Sequence, residues 1–158
     1  MASLQFEEHV SGGFKITSGS YAIMTESKDL GGLFPADAPL DPSLTNRLIQ
    51  TDQAVTVKLK WTVTGGLAVL IAGKWSFKVI FEKMGGDEFP GEFSGTTPFV
   101  AALTNTYNVS VNVPANQLTE GVYRVIAIVN LEGPAPASVK APVAAFADLG
   151  LIQVYQVS

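Results

Sequence analysis

An all-β fold, two antiparallel sheets packed face to face with about seven or eight strands, follows from three observations. Apolar and polar residues alternate strictly in several runs, the period of a half-buried strand. Gly, Pro, Asn and Asp separate those runs as turn residues do. No run carries the 3.6-residue period of a long helix. At 158 residues the chain fits one domain, 1–158, long enough to bury a substantial core without cross-links.

Residues 1–53 are the less regular part. Leu4 to Val10 and Phe14 to Thr25 are expected as strands, split by a turn at Ser11-Gly12-Gly13. Lys28 to Leu40 is a Gly/Pro-rich loop. Asp41-Pro42-Ser43 carries an N-cap residue with Pro in the first turn, which predicts a short helix over Pro42 to Gln50.

Residues 54–157 hold the core strands. Val55, Val57, Leu59, Trp61 and Val63 point one way, and Thr56, Lys58, Lys60 and Thr62 the other. Trp75, Phe77, Val79 and Phe81 repeat the pattern, against Ser76, Lys78 and Glu82. So do Tyr107, Val109, Val111 and Val113, against Asn108, Ser110 and Asn112, until Pro114 stops the strand. The strand from Val122 to Leu131 differs. Tyr123, Val125, Ala127 and Val129 line one face, yet Val122, Ile126 and Ile128 make the other apolar as well. Such a strand is expected at the centre of a sheet, covered on both sides. Leu149 to Val157 is the last strand expected.

Leu118 to Val129 adds a local signature. A turn ends in Gly121, Tyr123 follows, and a long β-branched strand begins. This passage resembles the corner of immunoglobulin-like and fibronectin-III-like sandwiches, in which a Tyr hydroxyl ties the corner down. Trp75 falls where that fold keeps its buried Trp. The resemblance is one of architecture and spans roughly Ala54 to Val157; it implies a Greek-key sandwich with Tyr123, Trp61 and Trp75 in structural roles. The inter-sheet disulfide of antibody domains is missing, because the chain has no Cys. The fold alone assigns no function.

Composition narrows the function classes. Net charge is −4, which argues against a nucleic-acid binder that must displace counterions with a basic face. Without Cys there is no thiolate chemistry and no Cys-built metal site. His9 is the single His, on a segment expected at an edge and with no partner motif. No Gly-x-Ser-x-Gly nucleophile turn occurs. The chain is therefore expected to be non-catalytic and to need no cofactor. Asp87, Glu88 and Glu92 lie in a Gly-rich loop and are weak calcium candidates, since calcium takes oxygen ligands. They lack EF-hand spacing, and a solvated turn is the simpler reading.

Charged residues make up 15% of the chain, against roughly 25% in an average soluble domain. The surface is thus either neutral and polar or covered by partners. Three connections are unusually apolar: Gly65 to Gly73, Pro98 to Leu103, and Ala141 to Phe146. Each either folds back onto the core or forms an interface. Leu67, Val69, Leu70, Ile71, Phe99, Val122, Ile126 and Ile128 are the interface candidates. The expected function is a structural or adaptor subunit working through other protein subunits, as a homo-oligomer or in a larger assembly. The alternative is a ligand-binding module, for carbohydrate or another small ligand, using Trp61, Trp75 or Tyr155. No basic-then-apolar leader opens the sequence, and the longest aliphatic run, Leu67 to Ala72, is too short to span a bilayer. A cytoplasmic or particle-associated location is expected, with membrane insertion disfavoured.

Overall fold

A computed structural model of the chain describes residues 3–8, 13–25, 46–85, 92–134 and 140–156. Among the described residues nine strands form two sheets. They are β1 (Gln5–Glu8), β2 (Lys15–Thr25), β3 (Leu48–Gln50), β4 (Val55–Thr64), β5 (Lys74–Lys83), β6 (Glu92–Pro98), β7 (Thr104–Val113), β8 (Gly121–Glu132) and β9 (Lys140–Tyr155). The larger sheet runs β1-β9-β8-β5-β6, with β3 also paired to β9; the smaller runs β2-β4-β7. Pairing is antiparallel except between β3 and β9. The all-β two-sheet sandwich expected from alternation is what the chain forms.

The core lies where the inward rows of both sheets meet. Val55, Val57, Leu59, Trp61 and Val63 of β4 are buried, as are Trp75, Phe77, Val79 and Phe81 of β5. An aromatic cluster joins the two layers. Trp61 of the smaller sheet lies edge to face with Trp75 of the larger, ring centroids 5.4 Å apart, and stacks on Tyr107 at 5.4 Å. Phe6 closes over both indoles at 6.1 and 6.2 Å. Both Trp residues are fully buried, so neither can serve as an exposed ligand platform.

The expected corner is present as a local motif. The Tyr123 hydroxyl donates to the Thr119 carbonyl at 2.9 Å and lies 3.0 Å from the Thr119 Oγ1. Lys83 Nζ donates to that same Oγ1 and sits 5.9 Å above the Tyr123 ring. Tyr123→Phe is expected to lower stability by about 1 kcal/mol, the net worth of one hydrogen bond. Urea denaturation would measure it.

Three segments depart from the sequence reading. The helix expected over Pro42 to Gln50 does not extend over Leu48–Gln50, which is β3, pairing in parallel with Gln153–Tyr155; residues 41–45 lie outside the described residues. Backbone pairing to a sheet edge outweighs the local capping signal there. The last strand starts at Lys140 rather than Leu149, so the Ala141–Phe146 segment is strand. A bulge at Asp148–Gly150 joins its halves, with Gly150 at φ 88. The Arg47 guanidinium donates to the Leu149 and Leu151 carbonyls across that bulge. Glu92, read as part of an acidic Gly-rich loop, opens the edge strand β6, Glu92–Pro98, where no strand was expected. Among the described residues no helix is long and apolar enough to cross a membrane.

Candidate functional site

The outward faces of the two sheets differ. On the smaller sheet Ala22, Met24, Thr56 and Lys60 all point away from the core and are nevertheless buried, Lys60 to 6%. That face is closed over at this point. The outward face of the larger sheet is open, and strand register arranges it in rows.

One row places Pro98, Lys74, Glu132 and Lys140 side by side on β6, β5, β8 and β9. The next holds Thr96, Ser76, Asn130 and Ala144. A third holds Ser94, Lys78, Ile128, Phe146 and Gln5, the last on β1. A fourth holds Glu92, Ile80, Ile126 and Asp148. The face therefore divides lengthwise into a polar half on β6, β5 and the end of β8, and an apolar half centred on β8 and β9.

The apolar half contains a groove of about 370 Å³ lined by Gln5, Phe6, Ile128, Ala144, Ala145 and Phe146. Phe146 stands out from it, 53% exposed. Ile126 and Ile80 continue the surface, and Leu151 and Val122 are exposed beyond them. No described segment covers this half. The polar half holds a basin of about 330 Å³, whose short side chains are Ser76, Ser94, Thr96 and Asn130. Lys78, Glu132 and Lys140 form its taller walls.

Three ion pairs lie on this face. Lys78 Nζ meets Glu92 Oε2 at 3.0 Å, Lys74 meets Glu132 at 3.5 Å, and Arg124 meets Asp148 at 2.7 Å. A hydrogen bond from the Ser76 hydroxyl, with Lys74 and Lys140 nearby, holds the Glu132 carboxyl below its usual range. Arg124, then the Gly150 N–H, does the same for Asp148, and Asp148 in turn raises Arg124.

The other candidates separate into groups. Val122, Ile126 and Ile128 come together on the outward face of β8, which is central as expected but covered on one side only. The Gly65–Gly73 connection contains a 3-10 helix, Gly66–Leu70, that buries only Ala68. Leu67, Val69 and Leu70 are exposed there, Leu70 to 77%, at the end of the sandwich where Val100 and Leu103 also stand out. Ile71 and Phe99 instead pack partly buried against the core, Phe99 stacking on Phe14 at 6.4 Å. The Val100 N–H donates to the Tyr107 hydroxyl at 2.9 Å, which pins this connection. Glu92 is engaged by Lys78, while Asp87, Glu88 and His9 lie outside the described residues. Among the described residues no three His, Asp or Glu side chains gather to hold a metal ion. Tyr155 is half-buried and accepts a hydrogen bond from Gln50 at 3.1 Å. Phe146 belongs to the apolar Ala141–Phe146 connection but was not singled out as an interface candidate, and Leu151 escaped the sequence reading; only the β8–β9 register brings them beside Ile128 and Arg124.

No protein-family model and no curated protein sequence matches the chain. Among solved structures the fold is similar to a crystal structure of the C-terminal domain of Wzt, with a TM-score of 0.53 at 11% identity, covering 98% of this chain and 80% of that one. That likeness supports the β-sandwich architecture.

Proposed function

We propose that the protein is a non-catalytic structural or adaptor subunit that works through protein–protein contact, self-associating by the outer face of its larger sheet. The observation that carries this is the open apolar half of that face, with Ile126, Ile128 and Phe146 around a groove of about 370 Å³. A knob and a groove on one face suit a two-fold pair, in which each copy offers the surface the other needs. The low charge content, 15%, favours the same reading. Such a subunit would work in the cytoplasm or on an assembled particle. The immunoglobulin-like reading of the topology is supported by the Tyr123–Thr119 corner and by Trp75 facing Trp61 across the core. A second reading, a ligand-binding module on the same scaffold, is favoured by the polar basin beside the apolar groove.

Light scattering on the purified chain at two concentrations tests the first reading. The expected result is a concentration-dependent dimer that Phe146→Asp converts to monomer without changing the far-ultraviolet circular dichroism. Leu70→Asp, at the sandwich end, should leave the dimer intact. A monomer at both concentrations would overturn self-association. Loss of association in Leu70→Asp alone would move the interface to the end of the sandwich.

A further inference from the structure

Resting on the ligand-binding reading of this face, we propose that the polar basin on the larger sheet is a binding site for a neutral saccharide. Its floor is a grid. Thr96, Ser76 and Asn130 lie in one row across β6, β5 and β8, spaced by roughly 4.8 Å from strand to strand. Ser94 and Lys78 form the next row, two residues along each strand. Hydroxyls and a carboxamide both donate and accept. A sugar ring presents the same kind of group, so each of its hydroxyls can meet either a donor or an acceptor without leaving a partner unsatisfied.

Shape favours a small ligand held on its edges. The central side chains are short, and Lys78, Glu132 and Lys140 rise around them, which makes a basin of about 330 Å³ instead of a flat solvated sheet. That lies within the range of roughly 300–1,000 Å³ common for small-molecule sites. The apolar lining is Gly95 and the ring of Phe77, itself nearly buried, which is little for the apolar anchor a protein partner would need.

Charge favours neutrality. Lys78 and Lys74 are already paired with Glu92 and Glu132, and Lys140 lies close enough to Glu132 to lower its carboxyl further. At Lys78 or Lys74 a free anion would have to displace these carboxylates, and at Lys140 it would meet the Glu132 carboxylate nearby. A neutral polyol can instead use both signs: ammonium groups as donors and the Glu132 carboxylate as acceptor. The Glu132 carboxyl is held ionised by Ser76 and the lysines, so this acceptor persists into mildly acidic solution.

The test is amide-resolved NMR on the full chain, titrated with maltotriose, cellotriose, mannotriose and chitotriose. Sodium sulfate and phosphate are the charge controls. At least one trisaccharide should shift the backbone amides of Ser76, Thr96 and Asn130 saturably at ligand concentrations up to about 10 mM, a weak but specific affinity. Asn130→Ala should weaken that binding by about tenfold, or 1.4 kcal/mol. Neither salt should reproduce the shifts. Phe146→Asp, which removes the proposed dimer contact, should leave sugar binding unchanged, so the two proposals can fail separately. No shift at these amides with any of the four sugars would overturn the site. So would equal saturation by sulfate or phosphate, or sugar-induced shifts confined to other parts of the chain.

Discussion

Trp61→Ala is expected to lower stability by about 3–5 kcal/mol, the range for truncating a large buried aromatic. Against a total of roughly 5–15 kcal/mol for a typical domain, that is enough to leave the protein marginal. The reason is position. Trp61 is fully buried on β4 of the smaller sheet. Its ring lies 5.4 Å from Trp75 and 6.1 Å from Phe6, both on the larger sheet, and 5.4 Å from Tyr107 beside it. Removing it opens a cavity where the two layers meet, and neighbours on different sheets cannot all relax into it. The indole N–H of Trp61 has no hydrogen-bond partner among the described residues, and neither has that of Trp75. Trp61→Phe therefore sacrifices no conventional hydrogen bond and should cost clearly less than Trp61→Ala. Urea denaturation followed by circular dichroism measures both. A loss below about 1 kcal/mol for Trp61→Ala would mean that the sheets are held together elsewhere.

The contrast between Trp61 and the outer face explains what could be read in advance. Strict alternation marks β4, β5 and β7, because one face of each is core and the other is not. That same logic identified Val122, Ile126 and Ile128 as a second apolar face. It failed at β6, whose inward positions are Phe93, Gly95 and Thr97. Only one of these is strongly apolar, so the edge strand carried no period. It failed at β3 because three residues leave no pattern, and their partner on β9 lies about a hundred residues away. Ala141 to Phe146 offered mostly small residues, which pack in a strand without announcing one. The candidate sites were hidden for a related reason. Phe146 adjoins Ile128 only through the register of β8 and β9, and Asn130 adjoins Ser76 only through the pairing of β8 with β5, far from it in sequence. Composition can supply a Ser, a Thr or an exposed Phe, but the register decides which of them share a row.

Gly65→Ala is the second large effect expected, a loss of about 2–4 kcal/mol. Gly65 lies at φ 126, a conformation that residues with a side chain rarely adopt. A Cβ there would sit 1.9 Å from the Gly13 carbonyl oxygen and 2.6 Å from its carbon. Both atoms are backbone, so no side-chain rotation relieves the clash. That carbonyl accepts the Leu67 N–H at 3.0 Å, and the Gly65 N–H donates to the Leu103 carbonyl at 2.9 Å. Room for a methyl group can come only from separating the start of the 3-10 helix from Gly13, which breaks the first bond and strains the second. Ala68, fully buried beneath this connection, would lose its cover. Gly66→Ala is the internal control: nothing lies within 4 Å of its added Cβ, and a change within about 0.5 kcal/mol is expected there. Thermal unfolding of both variants separates backbone clash from a general intolerance of this end. The same pair bears on the working surface. If association runs through the larger sheet, Gly65→Ala should unfold at a lower temperature yet still dimerise below that transition, because Gly65 follows β4 of the smaller sheet, whereas Ile128 and Phe146 lie on the outer face of the larger one. Loss of the dimer in folded Gly65→Ala would instead place the interface at Leu67, Val69 and Leu70.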